Sequence, residues 1–540
     1  MPLCQARVKK RLTKQVVSVH FLRMGRVREE TISGAKWQML QKFTLEPVQL
    51  VYGMVLARLI TPAEMGILGL TAIFFAVAAS LASAGFGQAL IRKIDRTEED
   101  INTMFWFNAG MSLLMSTILF LAAPWFADFF HQPALKNITR VSAGMMFLNS
   151  FAGVHWTLYQ CRRDFKIPAI IHTCTTVVGM PLCLYLAYIG WSYWAIVTQG
   201  VVVGLLNLVI VWIVSPWKPR FIFSWASFKE LFAFGSRMTA AGLLYTVYTH
   251  LRTFIIGKFY SPADLGLYDR GKHLCSVIPT TLNGMLESVT YPILATIQND
   301  DTRLKEVYRL YIRITSMAII WGVFLLASLG EPLVRVMYGD TWLGCVPFLQ
   351  ILCFSFALQQ INIINLNLIK VKGRSDIYLR LEIIKRVFSL ALMLYGATIS
   401  VEAICWASVI YTQLAIFINC WYTGKIIELT WWQQQKDYWP YILRTWMSCI
   451  PAYLLATYVP VPQIDAAGSA LSWFHHYGTL AGILACGTFL SAIFYFGGLQ
   501  RSRDRALIEA AKSLAAKPAI GRIPLLGRWV KHVSCLCPGD

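Results

Sequence analysis

Apolar runs of about 20 residues follow one another along almost the whole chain, and short polar segments separate them. A helix needs about 20 mostly apolar residues, at about 1.5 Å each, to cross a hydrocarbon core about 30 Å thick. Against that template the runs predict spanning helices near residues 37–58, 63–90, 102–127, 138–160, 167–189, 193–214, 229–257, 263–295, 308–329, 343–369, 376–398, 402–424, 438–458 and 477–498. The expected fold is an all-α polytopic membrane protein with about fourteen transmembrane helices. The connections are short. The longest outer one, VPVPQIDAAGSALSWFHHY after Val459, is too small for a domain.

Two of the connections carry the same punctuation. LARLITPAEMGIL begins at Leu56 and IGKFYSPADLGLY begins at Ile256, so Thr61/Ser261, Pro62/Pro262, Ala63/Ala263, Glu64/Asp264 and Gly66/Gly266 pair at an offset of 200. Each proline fits the first turn of a following helix, where a missing N–H costs nothing. Six predicted spans lie between the two motifs, and an even number returns the chain to the same membrane face. The pattern therefore predicts a tandem, parallel duplication of two six-helix lobes, as in several transporter architectures, plus two extra helices. A weaker echo, LYQCRRDFK from Leu158 against LIKVKGRSD from Leu368, agrees with it. The expected layout is a basic lead at 1–36, a first lobe at 37–225, a second at 226–425, two further helices at 426–499 and a basic tail at 500–540.

Composition fits this layout. The 540 residues are 56% hydrophobic and 14% charged, whereas a soluble domain carries about 25% charged residues. Mean hydropathy is +0.53. The net charge of +21 raises the question of nucleic acid, but the bases form no single stripe interleaved with aromatics. With the N-terminus inside, 36 of the 49 Lys and Arg fall in inner segments and 4 in outer ones, Arg58, Lys136, Lys258 and Arg335. That asymmetry orients membrane proteins, and it predicts both termini in the cytoplasm. The 13 cysteines are scattered through apolar runs, as at Cys174, Cys183, Cys353 and Cys486, with no metal spacing. They read as small core hydrophobes, and no metal or other cofactor is expected. The first apolar run lacks a small-residue cleavage site, so no cleavable signal is expected. Met24, followed by GRVREETISGAKW, reads as an alternative start. The tail segment LIEAAKSLAAK reads either as an amphipathic surface helix or as a solvated extension.

Charges inside spans cost roughly 2.5–3.5 kcal/mol each on insertion scales, and they tend to mark pathways. Two predicted helices concentrate them. On the seventh, Arg237, Ala241, Tyr245, Tyr248 and Arg252 step by four, four, three and four along one face. On the eighth, Asp269, Lys272, Ser276, Thr280, Asn283 and Glu287 form a continuous polar stripe with Arg270 beside it. Such a stripe faces protein or water, not lipid. One reading is a hydrated cationic cavity. The other is a set of internal pairs such as Asp269 with Lys272. Arg237, Arg252 and Arg270 have no acid one helical turn away, which favours the cavity. The corresponding face of the first lobe, Gly69, Ala72, Ala76, Ser80, Ser83 and Gly87, is all small and reads either as close helix packing or as a groove. Glu382 with Lys385 and Arg386 neutralises locally, Gln359, Gln360, Asn362, Asn365 and Asn367 can bond sugars or glue helices, and His155, His172 and His250 read as structural. Glu46 is placed to pair with a cavity base.

LARLITPAEMGILGL, GFGQALIRK, FNAGMSLLM, FAFGSRMTAAGLL, IGKFYSPADLGLYDRGK, EPLVRVMYGDTW and LIKVKGRSDIYLRLEIIK together resemble the Wzx-type polysaccharide-transporter branch of the multidrug/oligosaccharidyl-lipid/polysaccharide (MOP) exporter superfamily, over roughly residues 30 to 458. The resemblance implies a two-lobe transporter in the bacterial inner membrane. It would flip undecaprenyl-pyrophosphate-linked oligosaccharides for O-antigen, capsule or exopolysaccharide synthesis. The family's lumen is built around the first, second, seventh and eighth helices and tends to be cationic. Arg237, Arg252, Arg270 and Lys272 fall where its lining belongs; with Tyr245, Tyr248 and Asn283 they are the candidate cavity lining, and Asp269 and Glu287 are candidates for proton or sodium coupling. The implied partners are the lipid-linked oligosaccharide, membrane lipids and a polysaccharide polymerase, with a monomeric transporter. The alternative is an organic-cation antiporter of the same superfamily. It would want uncompensated acids, whereas Arg237, Arg252, Arg270 and Lys272 outnumber Asp269 and Glu287. A membrane enzyme would want a sizeable outer loop carrying acid, base or nucleophile, so an enzyme is not expected.

Overall fold

The computed structural model describes residues 44–93, 95–162, 164–462, 470–501, 504, 508 and 533. The basic lead with Met24, the start of the first predicted span, part of the connection after Val459 and most of the tail with LIEAAKSLAAK lie outside the described residues. So do the side chains of Ala241 and of 284–293, Glu287 among them.

Every described element is helical. In chain order they are α1 (44–59), α2 (Pro62–Ser83), α3 (Phe86–Arg92), α4 (Glu98–Phe129), α5 (Ala134–Cys161), α6 (Lys166–Tyr188), α7 (Tyr193–Val214) and α8 (Trp225–Phe259). Then come α9 (Pro262–Thr296), α10 (Asp301–Ser328), α11 (Gly330–Tyr338), a 3₁₀ turn (Asp340–Cys345), α12 (Val346–Phe356), α13 (Gln359–Val371), α14 (Ser375–Ala397), α15 (Val401–Ile427), α16 (Trp431–Tyr458) and α17 (Ala470–Arg501). The chain divides into two compact units, Met1–Lys258 and Phe259–Asp540, so α8 falls in the first and α9 in the second.

Among the described residues, 8 helical stretches are long and apolar enough to cross a membrane, with Asp340–Val371 counted as one. The protein is a multi-pass membrane protein. The remaining long helices α5, α8, α9, α14 and α16 have the length but more polar sequences. α8 and α9, at 35 residues each, would reach about 52 Å, well beyond a hydrocarbon core of about 30 Å.

The duplicated motif has a local physical cause. At the start of α2, the Thr61 N–H donates to Glu64 Oε2 at 2.7 Å and the Glu64 N–H donates to Thr61 Oγ1 at 3.4 Å. At the start of α9, the Ser261 N–H donates to Asp264 Oδ2 at 3.2 Å and the Asp264 N–H to Ser261 Oγ at 3.1 Å. Both are reciprocal capping boxes with proline in the first turn, and the two cap residues share one backbone conformation, φ −77°, ψ 159° and φ −80°, ψ 156°.

Two predicted spans are not continuous helices. The run 63–90 breaks at Ala84 and Gly85, both left-handed with φ of 41° and 68°. Gly87 thus belongs to α3 and leaves the small-residue face of α2. That face, Gly69, Ala72, Ala76 and Ser80, is only half-buried, and α2 buries Gly66, Leu70, Ala78 and Ala82 instead. The run 343–369 breaks at Ala357 and Leu358, between α12 and α13.

In the first unit an apolar cluster of Phe86, Leu90, Met104, Phe105, Leu158, Trp217 and Leu231 ties α3, α4, α5 and α8 together. His155 is buried in the same unit, with Nδ1 2.8 Å from Ser215 Oγ and its ring beside Trp212 and Trp217. This is a structural placement. The second unit is held by polar contacts as well. The Tyr308 hydroxyl lies 2.9 Å from both Asn365 Oδ1 and Gln434 Oε1, and Asn419 Nδ2 donates to Asn362 Oδ1 at 2.9 Å. Asn362 and Asn365 of α13 thus join helices. Arg309 forks onto Asp437 at 2.8 and 2.9 Å, and Arg313 reaches the same carboxylate at 2.7 Å. Glu382 is paired locally with Lys385 and Arg386.

The Asp437 side chain is fully buried while Arg309 and Arg313 are 34% and 29% exposed. Asp437→Ala is expected to cost about 2–4 kcal/mol, because two converging guanidiniums lose their shared counter-charge yet keep some contact with solvent. Glu331→Ala, which removes an exposed i,i+4 partner of Arg335, is expected to cost under about 1 kcal/mol. Thermal unfolding midpoints of both variants in one detergent check this. Equal effects would refute the account.

Candidate functional site

α8 is held at its two ends and open in its middle. Near its start, Leu231 is 2% exposed within the first unit's apolar cluster, and Phe228 lies 5.3 Å from Phe107. Four residues later the helix meets the left-handed corner between α2 and α3. A Cβ on Gly235 would stand 2.5 Å from the Ala84 carbonyl oxygen, and one on Gly85 2.4 Å from that of Gly235. Only two glycines permit so close a backbone crossing. Lys93, just past α3, donates to Glu230 Oε2 at 2.8 Å and pairs with the buried Asp100 carboxylate at 2.9 Å. The Glu230 carboxylate, outweighing the cost of burial, raises the Lys93 pKa above its ordinary value. Near the other end of α8, Ile255 and Ile256 are buried. Phe254 packs on Phe129 and Phe130, and Lys258 donates to the Phe129 carbonyl at 2.7 Å while sitting 3.8 Å from its ring.

Between these anchors lie the predicted site residues of the first unit. Arg237 is exposed, Tyr245 is 64% exposed, and Tyr248 and Arg252 are half-buried. Leu244 beside them is 76% exposed. Helical rise separates Arg237 from Arg252 by about 22 Å, so the four residues line a long strip, not one point.

In the second unit α9 packs one face tightly. A Cβ on Gly271 would stand 2.9 Å from the Cys345 carbonyl and 3.0 Å from the Leu349 nitrogen. Asp269, Arg270 and Lys272 form one charged turn, in which Lys272 and Arg270 are the charges acting on Asp269. Arg270 lies 5.3 Å from the rings of both Tyr338 and Trp342, and Lys272 lies 5.9 Å from that of Tyr268. Further along, Ser276 and Thr280 turn their hydroxyls back onto the carbonyls of His273 and Ser276. Asn283 is 7% exposed, and its Oδ1 has no hydrogen-bond partner among the described residues. Glu287 lies outside them. Among the described residues no group of His, Cys, Asp and Glu could hold a metal ion.

Sequence reasoning left three parts of this arrangement unassigned. Tyr338 and Trp342 sit in EPLVRVMYGDTW, a segment quoted for its resemblance but given no role. The Lys93–Glu230 pair joins residues 137 apart. The Gly85–Gly235 crossing is a property of backbone approach, and its only local signal is a glycine in each of GFGQALIRK and FAFGSRMTAAGLL.

The sequence profile of a family described as polysaccharide biosynthesis protein matches residues 55–347. The lipopolysaccharide biosynthesis protein WzxC of Escherichia coli is 24% identical over 68% of this chain and 76% of its own length. The succinoglycan biosynthesis transport protein ExoT of Rhizobium meliloti is 23% identical over 89% and 95%. Among solved structures, the lipid II flippase MurJ in an inward closed conformation superposes with a TM-score of 0.65 at 11% identity, over 87% of this chain and 99% of that one. An inward-facing multidrug resistance MATE family transporter of the MOP superfamily superposes with a TM-score of 0.56 at 15% identity, over 70% and 94%. These two likenesses establish the fold.

The glycine crossing makes a sharp pair of expectations. Gly235→Val would drive methyl groups into the Ala84–Gly85 backbone and is expected to cost about 3 kcal/mol. Gly242→Ala, on the same helix with no atom within 4 Å of its added Cβ, is expected to be neutral or to gain up to about 1 kcal/mol. Thermal unfolding of the purified variants decides; a tolerated Gly235→Val would refute the anchoring role.

Proposed function

The chain belongs to the polysaccharide biosynthesis protein family, and on that premise we propose that it flips a polyprenyl-pyrophosphate-linked oligosaccharide repeat unit across the bacterial inner membrane. The observation that carries this reading is the strip on α8, where two arginines and two tyrosines follow one another between anchored ends, Arg237 and Tyr245 exposed and Tyr248 and Arg252 half-buried. A sugar pyrophosphate cannot enter hydrocarbon about 30 Å thick unaided. Guanidinium forks offer it paired, charge-assisted donors, tyrosines offer the sugar hydroxyl contacts and ring faces, and the polyprenyl tail stays in lipid. Arg270 and Lys272 supply further positive charge on α9. The roles of WzxC in lipopolysaccharide biosynthesis and of ExoT in succinoglycan transport support this substrate class.

The finer architecture belongs to the same proposal. Adding α1, α5, α8, α9, α14 and α16 to the more apolar stretches gives about fourteen spans. The twin capping boxes at the offset of 200 support a tandem repeat. The excess of Lys and Arg in alternate connections supports cytoplasmic termini. Transport then proceeds by alternating access through a cationic cavity, with Asp269 and Glu287 coupling it to protons or sodium, and a polysaccharide polymerase receives the product. The protein acts as a transporter, not an enzyme.

Losing one charge-assisted contact to the pyrophosphate costs about 1.5–3 kcal/mol, at least tenfold in affinity. Arg252→Ala is therefore expected to cut surface-polysaccharide export about tenfold and to accumulate lipid-linked repeat units inside the cell, with membrane abundance of the protein unchanged. Full export by an Arg237→Ala, Arg252→Ala, Arg270→Ala triple variant would overturn the anion-handling role.

A further inference from the structure

At the turn between α15 and α16 the second unit holds a cleft of about 470 Å³, inside the range of small-molecule sites, roughly 300–1,000 Å³. Its lining includes Trp421 and Lys425 of α15, Glu428 and Thr430 of the turn, and Trp431 at the start of α16. The turn is tight and fixed. Glu428 is left-handed at φ 50°, and a Cβ on Gly424 would stand 2.4 Å from the Leu429 carbonyl.

The polar end of the cleft is basic. Lys425 is exposed and lies 5.2 Å from the Trp421 ring. Lys305 of α10 donates to the Glu428 carbonyl at 2.9 Å, bringing a second ammonium to the rim against the one carboxylate of Glu428. The Trp431 indole Nε1 is buried and has no hydrogen-bond acceptor among the described residues. A buried N–H is rarely left without a partner, and Trp431 lines the cleft.

Beyond the cleft the surface of α15 is apolar. Ile410, Phe417 and Trp421 are 51%, 46% and 51% exposed, and they run along α15 toward Lys425. α15 is one of the helices apolar enough to cross a membrane. Exposed apolar surface on such a helix meets acyl chains, and indoles and lysines near its end sit at headgroup level.

We propose that this cleft binds an anionic glycerophospholipid. Its phosphate is held by Lys425 and the Trp431 Nε1–H, and its acyl chains lie along Trp421, Phe417 and Ile410. A free anion would leave the apolar strip unused, and a zwitterionic lipid would set its own ammonium against Lys425 and Lys305. Lipid binding here does not depend on which sugar the protein carries.

The test is native mass spectrometry of the full chain, purified in detergent, stripped of lipid and mixed with phosphatidylglycerol, phosphatidylcholine or sodium phosphate. The wild type is expected to retain phosphatidylglycerol at least fivefold better than phosphatidylcholine. Lys425→Gln and Trp431→Phe are each expected to lower that retention at least fivefold, with Trp439→Phe behaving as wild type. Trp431→Phe removes the donor and keeps a packed ring, so it decides the matter if Lys425→Gln fails to fold. Equal retention by the wild type and both variants would overturn the proposal. So would equal retention of the two lipids, or displacement of phosphatidylglycerol by millimolar phosphate, which would mark a soluble-anion site.

Discussion

Charge placed within a membrane-spanning bundle has to be answered from inside the protein or by water, because hydrocarbon answers nothing. The second unit answers much of its charge internally. Arg309 and Arg313 converge on Asp437, Glu382 holds Lys385 and Arg386, and Tyr308, Asn365 and Gln434 close a hydrogen-bonded knot among α10, α13 and α16. Such groups fix which helices neighbour each other, since a slipped register would strand a buried charge. In the middle of α8, Arg237 and Tyr245 are exposed and Tyr248 and Arg252 are half-buried.

The way α8 is mounted matters as much as what it carries. Aromatic packing, a glycine crossing and the Lys93–Glu230 pair hold its first third, and Phe254 with Lys258 holds its end. A helix fixed at two distant points behaves as a strut. It keeps its side chains in register along its length.

Much of this was legible in the sequence and some of it was not, for physical reasons. Long apolar runs announce helices because the membrane enforces their length, and the predicted positions of α4, α6, α7, α10 and α15 lie close to those observed. The Thr61 and Ser261 motifs announced their helix starts because capping is a contact between residues three apart. The break at Ala84–Gly85 was hidden, since composition stays apolar across it and only the backbone angles change. Lys93–Glu230, Arg309–Asp437 and Arg270 with Tyr338 and Trp342 were hidden for another reason. Their partners lie 137, 128 and 68 or more residues apart, and a single chain gives no local sign of such pairings. Site residues on one helix face could be grouped by periodicity, whereas what each face looks at could not.

The rings under Arg270 set a chemical condition of their own. A carboxylate that restrains a guanidinium loosens when it takes up a proton, so its grip varies with acidity. The face of Trp342 has no proton to gain, and that of Tyr338 keeps its phenol across the physiological range. The share of the hold these two supply is thus constant in acid and in neutral surroundings, and modest at about 0.5–2 kcal/mol. That part of the hold on Arg270 therefore waits for no titration, unlike a grip supplied by a carboxylate.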